Sequence, residues 1–347
     1  MFKKFMCVFM ASLMILGLSG CTWNDPETVA NDGIFRVSMV PDTGGVNDQS
    51  FNQSALEGLY ELRDETGAHI SYMESKQPSD YALNLDKLSD GPSDLIIGVG
   101  SMLFDAIDEV AAQNLDKNFA IVDYSFGDDI TNNLTGIVFR AQEAAFMVGY
   151  VAGMTTKTNK VGFIGGMRND VIDQFQYGYE AGIRYAEKER HANIEVLVQY
   201  AESFSDAAKG KAIAAKMYSD NCDIVFHAAG GVGYGVIEAA KDSHKFVIGV
   251  DKDQSDLAPD NVLTSAVKSV GTAVKLVSKE LMDGKVIGGK NYEFGLNEGC
   301  VGIPENHKNM DELVYKKALQ LEELIKSGKI TVPYNVETYK NYLRDLN

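Results

Sequence analysis

The stretch IFRVSMV-P-DTGGVNDQSFNQ-SALEGLYELRDET, residues 34–66, decides the fold. Ile34 to Val40 is a short apolar run of strand type, Asp42 to Gln53 is polar and glycine-rich, and Ser54 to Thr66 sets Leu56, Leu59 and Leu62 on one helical face. The unit repeats downstream. Strands expected near Ile70–Met73, Asp94–Val99 and Phe119–Asp123 alternate with helices near Tyr81–Leu88 and Phe104–Gln113, which predicts a parallel α/β body. Leu134–Phe139 then reads as a strand carrying the chain to a second body. That body opens with Ala141–Met154, a helix whose only charge is Glu143 and which therefore belongs in a core.

A second series follows. Strands at Val161–Ile164, Ile194–Gln199, Asp223–Ala228 and Phe246–Val250 alternate with helices at Val171–Glu187, Ala207–Tyr218 and Gly235–Lys241. Beyond Asp251, the segments Val262–Val267, Gly271–Met282, Tyr292–Gly295 and Asp311–Lys326 need neighbours. Returning the Gly271–Met282 helix to the first body is the simplest arrangement, and it predicts several crossings between the two.

A length of 347 residues agrees with two compact units. Hydrophobic residues at 45% and charged residues at 23%, with only 7 prolines, describe a folding chain rather than a disordered one. The formal charge of −17 opposes phosphate backbones, so nucleic acid is not an expected partner. Lys3 and Lys4 precede the apolar run Phe5–Leu18, which is shorter than the roughly 20 residues of a membrane span and reads as an export signal. Leu18-Ser19-Gly20-Cys21 matches the bacterial lipobox, which predicts removal of residues 1–20, a lipid on Cys21 and a polar tether over 21–33. Removal of that signal leaves 30 bases against 49 acids, or −19. Cys222 and Cys300 are then the two cysteines able to pair; two buried thiols are the expectation, since a chain of this length supplies its own core.

In open α/β sheets, ligands bind beyond the carboxyl ends of the strands. Those ends supply Asp42 to Gln53, Gly98-Val99-Gly100-Ser101, Asp123-Tyr124, Gly165-Gly166-Met167, Ala229 to Gly235 and Asp251-Lys252-Asp253. Acids, glycines and Phe51 converge there. Catalytic patterns do not: the five histidines lack metal-ligand spacing, no nucleophile elbow occurs, and Gly230 to Gly235 is not a dinucleotide fingerprint in a first βαβ unit. The Asp42-Thr43-Gly44 triplet is single, and its α/β setting is not that of an aspartic protease. Neither an enzyme, a metal nor a cofactor is expected.

The lipobox, the run from Asp42 to Gln53, the acidic strand end at Asp123, the turn Gly230-Gly231-Val232-Gly233 and Gly249-Val250-Asp251-Lys252-Asp253 recur in the order of one family. The chain resembles the basic-membrane-protein family of purine-nucleoside-binding lipoproteins that serve ABC importers, although its pI of about 4.7 is far from basic. The resemblance implies a type I periplasmic-binding-protein fold: α/β, two Rossmann-like parallel-sheet lobes, and a three-crossover hinge. It divides the chain into residues 34–137 plus 268–292 and residues 138–267 plus 293–347, with the last helix open to either lobe. It further implies a monomer, exported and lipid-anchored to a bacterial membrane, facing the periplasm or the cell exterior and partnered by a permease and its ATPase.

The implied ligand is guanosine, inosine or adenosine. Phe51 stacks on the base, as an aromatic ring does for about 1–3 kcal/mol whatever the base. Phe175 closes the sandwich, with Tyr177 as its competitor. Asn47 and Asp123 accept from the base edge, Asp251 takes the ribose diol, and Lys268 donates to ribose oxygens. Gly230 and Val232 belong to the backbone turn that approaches the ligand, and Asp42 organises its own loop. The rival readings are a sugar or autoinducer receptor of the same fold and, further off, a nucleoside hydrolase or phosphorylase.

Overall fold

The computed structural model describes residues 32–127 and 130–346. The signal, the lipobox and most of the expected tether lie outside them. The first sheet contains β1 (Arg36–Pro41), β2 (His69–Tyr72), β3 (Leu95–Val99), β4 (Asn118–Val122) and β5 (Leu134–Phe139), completed much later in the chain by β11 (Lys290–Phe294). Their spatial order is β11-β5-β4-β3-β1-β2, and every neighbouring pair is parallel. The second sheet contains β6 (Lys160–Gly165), β7 (Glu195–Tyr200), β8 (Ile224–Ala228), β9 (Phe246–Asp251), β10 (Val262–Lys268) and β12 (Val301–Gly302). Its order is β12-β10-β9-β8-β6-β7, with β12 the one antiparallel strand. Central strands such as β3 and β8 are buried along their whole length, as expected where helices cover both faces. The edge strands β2 and β7 carry exposed positions instead.

Ten helices occur among the described residues: α1 (Phe51–Thr66), α2 (Asp80–Ser89), α3 (Phe104–Gln113), α4 (Ala141–Thr155), α5 (Asp170–Arg190), α6 (Ala207–Ser219), α7 (Val232–Ser243), α8 (Val270–Met282), α9 (Glu312–Lys326) and α10 (Val336–Leu346). Helix α4 is buried nearly all round, as its sequence requires, and packs on α5 and α9, while α10 lies on α5. The chain passes between the sheets after β5, after β10 and after β11. These are the three crossings of a type I binding protein.

Helix α8 follows the second crossing and packs on α1 of the first lobe. A Cβ on Gly58 would stand 2.2 Å from the Gly271 Cα, so the two helices approach backbone to backbone. On the outer side of the same contact Lys275 reaches Glu61 at 2.6 Å and Glu65 at 3.0 Å. A continuous apolar cluster joins Leu59 of α1, Phe146 of α4, Phe226 of β8 and Leu321 of α9.

Two helix starts differ from the sequence reading. Helix α1 begins at Phe51 instead of Ser54, because the Asp48 carboxylate accepts the amides of Ser50, Asn52 and Gln53 at 2.9, 2.9 and 3.1 Å and so caps an earlier turn. Helix α7 begins at Val232 instead of Gly235: the glycines that disfavour a helix by propensity sit in its first turns, where a Cβ on Gly233 would fall 2.1 Å from the His227 ring. Helix α10 was not anticipated. Cys222 and Cys300 are buried free thiols, and burial pushes them up to about 12 and about 11. No described helix is long and apolar enough to cross a membrane.

Candidate functional site

The carboxyl ends of both sheets face one cavity, which holds about 610 Å³ of space not filled by protein atoms, counting space open to solvent. From the first lobe it is lined by Asp42 after β1, Asp48, Phe51 and Asn52 at the start of α1, Gly100 to Met102 after β3, and Asp123 after β4. From the second lobe come Asn169, Val171, Ile172 and Phe175 at the start of α5, Phe204 after β7, Ala228 to Gly230 after β8, Asp251 and Lys268. Gly230 turns the chain away from β8 with a φ of 54°, a conformation suited to glycine.

Lys268 is at the centre. Its ammonium lies 2.6 Å from Asp123 Oδ2 and 3.9 Å from Asp251 Oδ1, and the ring centroids of Phe51, Phe139 and Phe175 surround it at 4.5, 5.4 and 5.7 Å. Among the described residues lining the cavity, Lys268 is the one cation, set against four carboxylates, Asp42, Asp48, Asp123 and Asp251, of which it approaches two. Burial is the main reason Asp42 and Asp251 are each pushed up to about 6, opposed at Asp42 by the hydrogen bond from Asn52 and at Asp251 by Lys268 and the Ser50 hydroxyl. Burial also raises Asp48, against the amides it accepts.

Hydrogen bonding leaves specific atoms unmatched. Asn52 donates to Asp42 Oδ1 at 2.8 Å and to Asp48 Oδ2 at 3.2 Å, while its own Oδ1 is buried without a partner in the chain. Asp123 Oδ1 is likewise buried and unmatched. Asp42 also accepts the Gly44 amide at 2.8 Å, organising its loop as expected, yet it still lines the cavity. The lobes also meet directly, through Lys252 to Glu57 at 2.8 Å and the Gln254 amide to the Gln49 carbonyl at 3.0 Å.

Of the residues singled out from sequence, Asp42, Phe51, Asp123, Phe175, Gly230, Asp251 and Lys268 line this one cavity; Asn47 and Val232 do not. Asn47 is exposed, and the helix cap turns its neighbour Asp48 inward instead. Val232 is fully buried in the apolar cluster behind β8, because α7 has already begun there. Phe175 is 2% exposed and packs edge-on against Phe226, whereas Phe204 is half-buried with its ring against Gly166. Phe204 was missed, along with Asp48, Asn52 and Asn169. The strand-end rule finds Phe204 once it is extended past the end of β7, a strand the sequence shows at Ile194–Gln199 but whose following loop is absent from the strand ends taken above.

The comparisons agree with this architecture. Residues 35–336 match the model of the Bmp family, described as an ABC transporter substrate-binding protein, PnrA-like, and the chain belongs to that family. Its relatives include "Basic membrane protein A" of Borreliella afzelii, 43% identical over 317 residues covering 90% of this chain and 96% of the relative. The protein of that name from Borreliella burgdorferi is 40% identical over 347 residues, 99% of each chain. Among solved structures, an ABC transporter solute-binding protein from Aeropyrum pernix K1 superimposes with a TM-score of 0.80 at 25% identity, covering 90% of this chain and 97% of that one. The chain is thus a substrate-binding protein of the ABC-transporter class.

Proposed function

We infer that the chain captures a purine nucleoside between its lobes and hands it to an ABC permease with its ATPase, without acting on it chemically. The observation that carries this reading is the pair of unmatched, buried acceptors, Asn52 Oδ1 and Asp123 Oδ1, on a wall that also presents Phe51, with Phe204 across the cavity. A ligand for such a site offers flat faces to aromatic rings and N–H and O–H donors to acceptors, as a purine nucleoside does. Asp123 takes the base edge and Asp251 the ribose diol, with Lys268 beside both. The stacking pair is Phe51 with Phe204, since the Phe175 ring is committed to the core.

Cys21 carries the lipid that holds the protein on the outer side of a bacterial membrane, and residues 21–33 tether the two lobes to it. With each strand kept whole, the lobes comprise residues 34–139 with 269–294, and 140–268 with 295–347. The packing of α9 on α4 and α10 on α5 supports assigning the tail to the second lobe. Mass spectrometry of the ligand released on denaturing the purified protein is the direct test: a purine nucleoside is expected. Release of a hexose or pentose, followed by its rebinding, would hand the site to the sugar-receptor reading. Cys21→Ser is expected to move the protein from the membrane fraction to the soluble fraction, and a wild-type chain already soluble and unacylated would contradict the anchor.

A further inference from the structure

The cavity continues outward into a larger vestibule of about 1700 Å³, counting space open to solvent, and the two share Ser101, Met102, Asp123, Asn169 and Val171 as common walls. The vestibule differs from the cavity in one respect that matters chemically. It is lined by Asp105, Asp123, Asp170 and Glu293, and no lysine or arginine is among its lining residues. Glu293 is paired with Arg140 at 3.1 Å, but Asp105 and Asp170 make no ion pair among the described residues. Its first-lobe wall is aromatic, with Phe104 and Tyr124 stacked at 4.0 Å, and Tyr334 and Asn335 close it from the second lobe.

Asp123 joins the two spaces. Its side chain lines both spaces and is nine-tenths buried; one oxygen is held by Lys268, and the other, Oδ1, is buried and unmatched. If Asp123 accepts from the edge of the base, whatever that edge carries projects into the vestibule. We propose that the vestibule is a second subsite, for a cationic substituent on the base, so that the chain binds purine nucleosides bearing an alkylammonium arm and discriminates against those bearing an anionic one. Unpaired carboxylates attract such an arm, the Phe104–Tyr124 wall covers its methylenes, and the opening leaves room for its length.

This inference rests on the nucleoside reading, and the test separates the two. Adenosine, N6-(6-aminohexyl)adenosine and N6-(5-carboxypentyl)adenosine are titrated calorimetrically into ligand-stripped protein at low and at 0.5 M salt. The amino compound is expected to bind about tenfold or more tightly than the carboxylate at low salt, with the ratio shrinking at high salt because these charges are solvent-exposed. In Asp105→Asn/Asp170→Asn the ratio collapses toward one. Equal binding of both derivatives, or binding of adenosine with neither derivative accepted, overturns the vestibule inference alone. Failure of adenosine, guanosine and inosine to bind at all overturns the reading beneath it.

Discussion

The ends of β4 and β9, one in each lobe, are built alike and satisfied differently. Each has an aspartate in the left-handed region at its end, Asp123 just after β4 at φ 64° and Asp251 as the last residue of β9 at φ 65°, and each turns its carboxylate toward Lys268. Asp123 is bonded to the ammonium and keeps one oxygen unmatched; Asp251 stands farther from the cation and takes the hydroxyl of Ser50 from the opposite lobe. The difference teaches which contact is reserved and which must be exchanged. A ligand donor that reaches Asp123 Oδ1 has no hydrogen-bond partner of the chain to displace there, whereas at Asp251 it competes with a contact that already holds the lobes together.

Removing the shared cation breaks the comparison most severely. Lys268→Met keeps the stem and deletes the charge, leaving buried carboxylates without their partner, and is expected to cost about 3–5 kcal/mol of stability in denaturant titration at pH 7.5. Stability equal to wild type would remove Lys268 from the centre of the site. Next comes Asp123→Ala, which deletes the acceptor reserved for the base: loss of a charged hydrogen bond of about 1.5–3 kcal/mol predicts roughly ten- to hundredfold weaker binding of guanosine, with base preference altered. Asp251→Ala is expected to weaken guanosine and to narrow its advantage over 2′-deoxyguanosine, which lacks one hydroxyl of the diol. An unchanged ratio between those two ligands would move the ribose elsewhere.

Protonation sharpens the comparison further. Asp42 and Asp251 titrate near 6 in the folded chain, above the ordinary carboxylate value of 3.8, so between about 4 and 6 the native state holds more protons than the unfolded state. Their contribution to stability is therefore most favourable at low pH and is lost as the pH rises through 6. Ligand binding carries the opposite sign, because the ionised form of Asp251 accepts the diol. Guanosine affinity is expected to fall about tenfold between pH 7.5 and pH 5, with proton release on binding near pH 6. In Asp251→Asn most of that dependence disappears. The smallest effect is at Ser50: Ser50→Ala removes the competitor for Asp251 and should change guanosine affinity by less than about threefold.

The sequence shows the repeated βα units clearly, because the buried parallel strands are short apolar runs bounded by glycine and polar loops. The sites at strand ends follow from that topology: Asp42, Asp123, Asp251 and Lys268 meet in one cavity though they are far apart in the chain. What sequence left obscure was local. Phe51 and Asn52 are indifferent helix formers, so the role of Asp48 as cap, and with it the outward turn of Asn47, depends on a hydrogen-bond pattern with no periodic signal. The glycines at the start of α7 concealed that Val232 lies inside a helix. Phe204 follows a strand that is legible in the sequence, but it stands beyond Ala201-Glu202-Ser203 instead of at the strand end itself. Helix α10 packs through Tyr339 on the second lobe while remaining mostly exposed, and short, polar helices of this kind are held by tertiary contact more than by propensity.

The most direct test of the account is calorimetric titration of guanosine, inosine and adenosine into protein stripped of ligand by unfolding and refolded, with ribose and glucose as controls. The account predicts saturable one-to-one binding of at least one of the three nucleosides and none of the free sugars at the same concentrations. Saturable binding of a free sugar with no response to any purine nucleoside would contradict it.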